Sequence, residues 1–196
     1  MVVKKSTKYI TYILYILYLA SFILFFKNGE IEKLGITLFC LLSTMALYKI
    51  NLNNKKLINN NLYIVLILFI MMSSLLGSCY NFYNINHYDD FLHVWSGLIS
   101  CSVSYSLLLF FNDNKIKSIS KIFIIIYLFM FSMGVANLWE IIEFLLDTFI
   151  GTNMQVGGLK DTVIDMIDAL IGSLVMIPII MSSYKKLNLI KAKKNS

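Results

Sequence analysis

The chain has 196 residues, of which 58% are hydrophobic and only 14% charged, with one proline and a mean hydropathy of +0.74. A water-soluble domain of this length carries far more polar surface, so the composition excludes one. The net charge of +6 does not point to nucleic acid. It comes from lysines in short loops and at the chain ends, with no basic, aromatic-interleaved surface to grip phosphates.

The first stretch, "MVVKKSTKYITYILYILYLASFILFF", starts like a secretory signal. Its apolar run outlasts a usual signal core and no clear small-x-small cleavage site follows, so it reads as a retained first span. Six spans follow one another at approximately 9–26, 34–50, 62–82, 91–111, 121–144 and 162–183. Each is near the ~20 residues needed to cross a hydrocarbon core. The expected fold is therefore all-α, a polytopic membrane helical bundle in the lipid bilayer, with 1–196 forming a single integral membrane domain. Pro178 is expected to bend the sixth span by removing a backbone donor. Gly97, Gly134 and Gly172 are positions where helices can approach closely. Cys40, Cys79 and Cys101 lack metal-type spacing and read as small buried residues.

The loops set the orientation. Lys4, Lys5, Lys8, Lys49, Lys55, Lys56, Lys115, Lys117, Lys121, Lys185, Lys186, Lys191, Lys193 and Lys194 fall on one side, fourteen of the seventeen. Only Lys27, Lys33 and Lys160 fall on the other. The positive-inside rule then puts both termini in the cytoplasm. The same topology sends ten of the eleven acids toward the outer side, Asp113 being the exception. Glu30 and Glu32 read as solvated loop charges, whereas the other eight gather at the outer ends of spans four, five and six.

Three stretches carry these groups. "HYDDFLH" supplies His87, Asp89, Asp90 and His93; "NLWEIIEFLLD" supplies Asn137, Glu140, Glu143 and Asp147; "LKDTVIDMID" supplies Asp161, Asp165 and Asp168. At about 100° per residue, Asp161, Asp165 and Asp168 span roughly 60° of one helix face, and Glu140, Glu143 and Asp147 do the same. His93 shares a face with Asp89 and Asp90, at spacings of four and three. A carboxylate facing lipid near the bilayer centre costs about 2.5–3.5 kcal/mol, so the stripes are expected to turn inward into one pocket. Crowded carboxylates need a proton or a cation to offset their repulsion. One divalent metal ion of unspecified identity meets that need, with Asp89, Asp90, His93, Glu140, Glu143, Asp161 and Asp165 as its candidate ligands and Glu140 or Glu143 as the catalytic base.

Plainer roles stand beside these. Asp147 also fits a solvated helix end, Asp89 a helix-dipole partner, Asp161 an N-cap, and His87, Trp95 and Trp139 interface residues. The loop "GTNMQVGGLKD" fits a turn in which Asn153 or Gln155 can donate to a ligand. There is no His-Glu-x-x-His zinc motif and no phosphate-binding Gly-rich loop. Ser96, Ser100 and Ser102 lack a nucleophile's context.

At "NHYDDFLHVWSG", "LWEIIEF", "GTNMQ" and "KDTVIDMIDALIG" the chain resembles the YjdF-like family of bacterial inner-membrane proteins, over about the last 110 residues. The resemblance implies a small polytopic protein in which Asp89, His93, Glu140, Glu143, Asp161 and Asp165 match the family pattern. Asp90 and Asp168 are less typical of it. The Asp-x-x-His element is also similar to VanZ-like membrane proteins. Neither resemblance supplies a reaction. Three readings stay open: a metal-dependent hydrolase or transferase acting on a lipid-linked or envelope substrate, an ion- or proton-coupled transporter, and a non-catalytic membrane scaffold.

Overall fold

A computed structural model describes residues 5–112 and 119–194, and the side chains of those up to 184. Lys4, Asp113, Lys115 and Lys117 lie outside the described residues, as do the side chains of Lys185, Lys186, Lys191, Lys193 and Lys194. The described residues are helical without strands. The helices are α1 (Lys5–Asn28), α2 (Ile31–Asn53), α3 (Asn60–Ile70), α4 (Tyr88–Phe111), α5 (Lys121–Ile150) and α6 (Leu159–Lys194). Among the described residues, with α3 carried on to Cys79, 6 helices are long and apolar enough to cross a membrane.

Two elements run further than the hydropathy pattern predicts. α5 continues to Ile150, where Gly151 ends it in the left-handed region at φ 79° and donates its N–H to the Leu146 carbonyl at 3.1 Å. Asp147 is compatible with a helix but lowers the hydropathy of that last stretch, so the apolar run ends early. α6 continues through Pro178 to Lys194, because the loss of one donor is tolerable where neighbouring groups resupply the backbone.

The third span departs from a regular helix. It changes at Met71 into a π-helical stretch ending at Cys79, and Tyr80 N–H donates to the Leu75 carbonyl five residues back at 3.1 Å. Gly77 lies against the Tyr83 ring, where a Cβ has no room.

The chain divides into two compact units, Met1–Tyr88 and Asp89–Ser196. In the first, the buried face of α1 reads Thr7, Thr11, Leu14, Tyr18, Ser21 and Phe25, alternating steps of four and three in the manner of a heptad seam. Thr37, Cys40, Thr44 and Asn51 continue the same spacing on α2. Small residues at such seams let membrane helices approach. Thr11 gives its proton to the Thr7 carbonyl at 2.8 Å, so it is the Tyr63 hydroxyl that donates to Thr11, at 2.9 Å. Asn59 caps α3 by accepting from the N–H groups of Asn61 and Leu62, each at 3.0 Å. In the α1–α2 turn Lys33 pairs with Glu30 and, with the Asn28 amide, holds its carboxyl below the ordinary carboxylate range.

In the second unit α5 buries one line, Ile124, Leu128, Ser132, Ala136, Glu140 and Glu143. Its apolar part joins Cys101 of α4 and Ile177, Ile180 and Tyr184 of α6 in a core. Next to that core the helices cross backbone to backbone. A Cβ on Gly97 would fall within the Ala169 carbonyl oxygen, and one on Gly172 within the Val94 carbonyl oxygen. The Ser132 hydroxyl bridges the crossing, meeting the Ser173 hydroxyl at 2.6 Å and the Gly97 carbonyl at 3.2 Å. Gly134, the third glycine expected to serve close packing, faces open space instead. All three cysteines are free and buried. Outward-facing Ile122, Met130, Leu138 and Phe144 give the unit an apolar exterior suited to lipid.

Candidate metal site

The second unit's acids come together through a short, well-braced connection. The chain leaves α5 at Gly151 and enters α6 at Leu159. Within that loop Asp147 accepts hydrogen bonds from the Thr152 hydroxyl at 2.6 Å, Met154 N–H at 2.8 Å and Gln155 N–H at 2.9 Å. The Gln155 side-chain amide then donates to the Glu140 carbonyl at 3.4 Å and to the Thr162 hydroxyl at 2.8 Å, tying the end of α5 to the start of α6. Asp147 is thus a loop brace and Gln155 a strut. Asp147→Ala should speed hydrogen–deuterium exchange at Met154 and Gln155 several-fold while leaving exchange at the α4–α6 crossing unchanged. Unchanged loop exchange would remove the bracing role.

This bracing lets Glu140 and Glu143 of α5 face Asp165 of α6, all three buried, with one carboxylate oxygen from each within 4.8 Å of the others. α4 adds two further groupings under the same limit, Asp89 with His93 and Asp165, and Asp90 with Asp165 and Asp168. Asp165 is common to all three. The central groups are nearly sealed from solvent, with exposures of 3% for Asp165, 4% for Glu140 and 7% for both Glu143 and His93. Asp89 is part-exposed and forms the rim.

The distances fall in the range of ion pairs and leave room for an ion between the groups. His93 Nε2 lies 3.5 Å from Asp89 Oδ1 and 3.8 Å from Asp165 Oδ1, beyond the ~2.7–3.2 Å of a good N–H···O bond. Two ligand atoms each about 2.1 Å from a shared ion stand roughly 3–4 Å apart. Glu140 adds a second sign: its Oε2 is buried without a hydrogen-bond partner, an expensive condition for a carboxylate oxygen unless something else engages it. A mixed set of carboxylate oxygens and one imidazole fits a hard or borderline divalent cation.

Of the seven residues expected as ligands, Asp89, Asp90, His93, Glu140, Glu143 and Asp165 fall within these groupings. Asp161 does not: it sits in the first turn of α6, packed over Gly157. Asp168, which is not among the seven candidate ligands, also enters a grouping; its spacing of three from Asp165 was the available signal. Asp90 and Asp168 also interact with other groups of the protein. His87 lies in the first unit at a left-handed φ of 61°. Asn137 and Asn153 are exposed, as is Trp139 on the apolar exterior.

Compared with known proteins, residues 9–186 match the family described as a predicted membrane protein, DUF2238. No curated protein and no solved structure matches the chain.

Proposed function

The chain belongs to that family of predicted membrane proteins, and from this premise we propose that its carboxylate–imidazole cluster is a divalent-cation site. In this reading the cluster opens to the outer face of a bacterial inner membrane, and both termini lie in the cytoplasm, as the lysine asymmetry implies. Asp89, His93, Glu140, Glu143 and Asp165 hold the ion, with Asp90 and Asp161 toward the rim. The observation that carries the reading is the partnerless, buried Glu140 oxygen beside Glu143 and Asp165. The shared motifs with YjdF-like proteins support the same residue set.

The activity proposed for this site is hydrolysis or group transfer on a lipid-linked or envelope substrate. An ion held there would supply Lewis acidity. Glu140 or Glu143 would accept a proton from a nucleophilic water, and His93 would serve as ligand or proton carrier. A transporter needs a conduit past the site. About 10 Å further along α6 from Asp165, Gly172 meets the backbone of α4, which supports a dead-end pocket within this unit.

Full-length protein purified in mild detergent without chelator is expected to carry a divalent metal by elemental analysis, and Asp165→Asn to carry none. A metal-free preparation that also takes up no added Mn²⁺, Zn²⁺ or Mg²⁺ would overturn the site. Mass spectrometry of envelope lipids tests the activity: a lipid species depleted by the overproduced wild type, but not by Glu143→Gln, is the expected outcome. Matching profiles would leave a metal site without that activity.

A further inference from the structure

We infer that the site holds two divalent cations bridged by the Asp165 carboxylate, an inference that rests on the metal-site reading above and refines it. One ion would lie between Asp89, His93 and Asp165, the other between Glu140, Glu143 and Asp165. Each grouping offers three ligand atoms within 4.8 Å of one another, and Asp165 is the member they share. A carboxylate has two oxygens and four lone-pair sites, so one side chain can serve two ions at once.

Charge argues for a pair over a single ion. When ionised, Asp89, Glu140, Glu143 and Asp165 bring four negative charges into a site that includes the three most buried carboxylates among the described residues. A single divalent ion offsets half of that charge, and two ions offset all of it. His93, acting as a neutral ligand, adds none. The same count explains the Glu140 oxygen. An ion placed at the His93 end leaves Glu140 Oε2 buried without a partner, whereas a second ion at the Glu143 end gives it one. Ligands contributed at i, i+3 and i, i+4 spacings from neighbouring helices are a known way to build two-metal carboxylate centres. Such ion pairs can stabilise both the attacking and the leaving oxygen of a displacement. The third grouping, Asp90 with Asp165 and Asp168, is assigned no ion, because the two oxygens of Asp165 are already given to the other two ions; Asp168→Asn tests that assignment.

The test uses full-length protein in detergent, stripped with chelator and titrated with Mn²⁺, with bound ions counted by elemental analysis and examined by electron paramagnetic resonance. The wild type is expected to bind two Mn²⁺ per chain with an exchange-coupled spectrum. His93→Ala and Glu143→Gln should each bind one, giving the spectrum of an isolated ion. Asp165→Asn should lose the coupling, and Asp168→Asn should keep both the stoichiometry and the coupling. Circular dichroism and size-exclusion profiles matching the wild type qualify each variant, and the conservative Glu143→Gln keeps the test open if His93→Ala misfolds. One Mn²⁺ per chain in the wild type overturns the pair and leaves the single-ion reading standing. Two uncoupled ions overturn the bridge, and no binding at all overturns both readings.

Discussion

Gly172→Ala is expected to unfold the second unit or lower its melting temperature sharply, although alanine is the better helix former. In a helix interior, replacing glycine with alanine gains about 1 kcal/mol. At position 172 that gain is overwhelmed, because the added methyl would occupy the place of the Val94 carbonyl oxygen and crowd Leu98 N. Overpacking a core commonly costs about 1–3 kcal/mol when side chains can yield. Here the obstacle is backbone, which yields only by moving α4 as a whole. Gly97→Ala meets the Ala169 carbonyl in the same way and should behave alike. Gly134→Ala is the built-in control: nothing lies within 4 Å of its Cβ, so it should be neutral or slightly stabilising. Thermal unfolding of the three variants in detergent, followed by size exclusion, checks the contrast. Equal behaviour at 97, 134 and 172 would mean the helices do not cross where described.

Glu140→Gln is expected to act in opposite directions with and without metal. In chelator, the substitution removes one of the carboxylates packed around Asp165 and supplies an amide that can donate to those remaining. Crowded like charges repel, and removing one relieves about 1.4 kcal/mol for each pKa unit of mutual repulsion. For a chain of this length each kcal/mol moves the melting temperature by roughly 2–4 °C. The metal-free variant should therefore melt several degrees above the metal-free wild type. With divalent metal at a hundred times its dissociation constant, the wild type gains about 2.7 kcal/mol by mass action. The variant, lacking one ligand charge, should gain much less, so the order of stability reverses. Four melting curves decide it. A variant less stable in chelator than the wild type would show that Glu140 serves the fold itself rather than a ligand.

Much of the architecture was legible from hydropathy, since a span announces itself by the length and uniformity of its apolar run. What that signal misses is geometry that costs little hydrophobicity. The continuation of α5 past 144 hid behind Asp147, and the change of winding at Met71 uses ordinary small and apolar residues. For the site, helical spacing grouped Glu140 with Glu143 and Asp165 with Asp168 correctly, because those residues lie within one helix each. Which of the acids join the cluster depended on loop contacts that spacing does not encode. Asp147 shares the stripe of Glu140 and Glu143, yet it turns to the 152–155 backbone. Asp161 shares the stripe of Asp165, yet it packs on the preceding turn. Asp165 as the common member could not be singled out, because its centrality is a relation among three helices.

The winding of the third span bears on the surrounding lipid. A π-helix fits more residues into each turn and so climbs less per residue than an α-helix. Asn60–Cys79 is 20 residues long with its final nine in that form, and it reaches less far than the ~30 Å that twenty α-helical residues would cover. Acyl chains beside this segment must shorten to keep its ends in the headgroup layer, a hydrophobic mismatch that favours thin membranes and raises the energetic cost of thick ones.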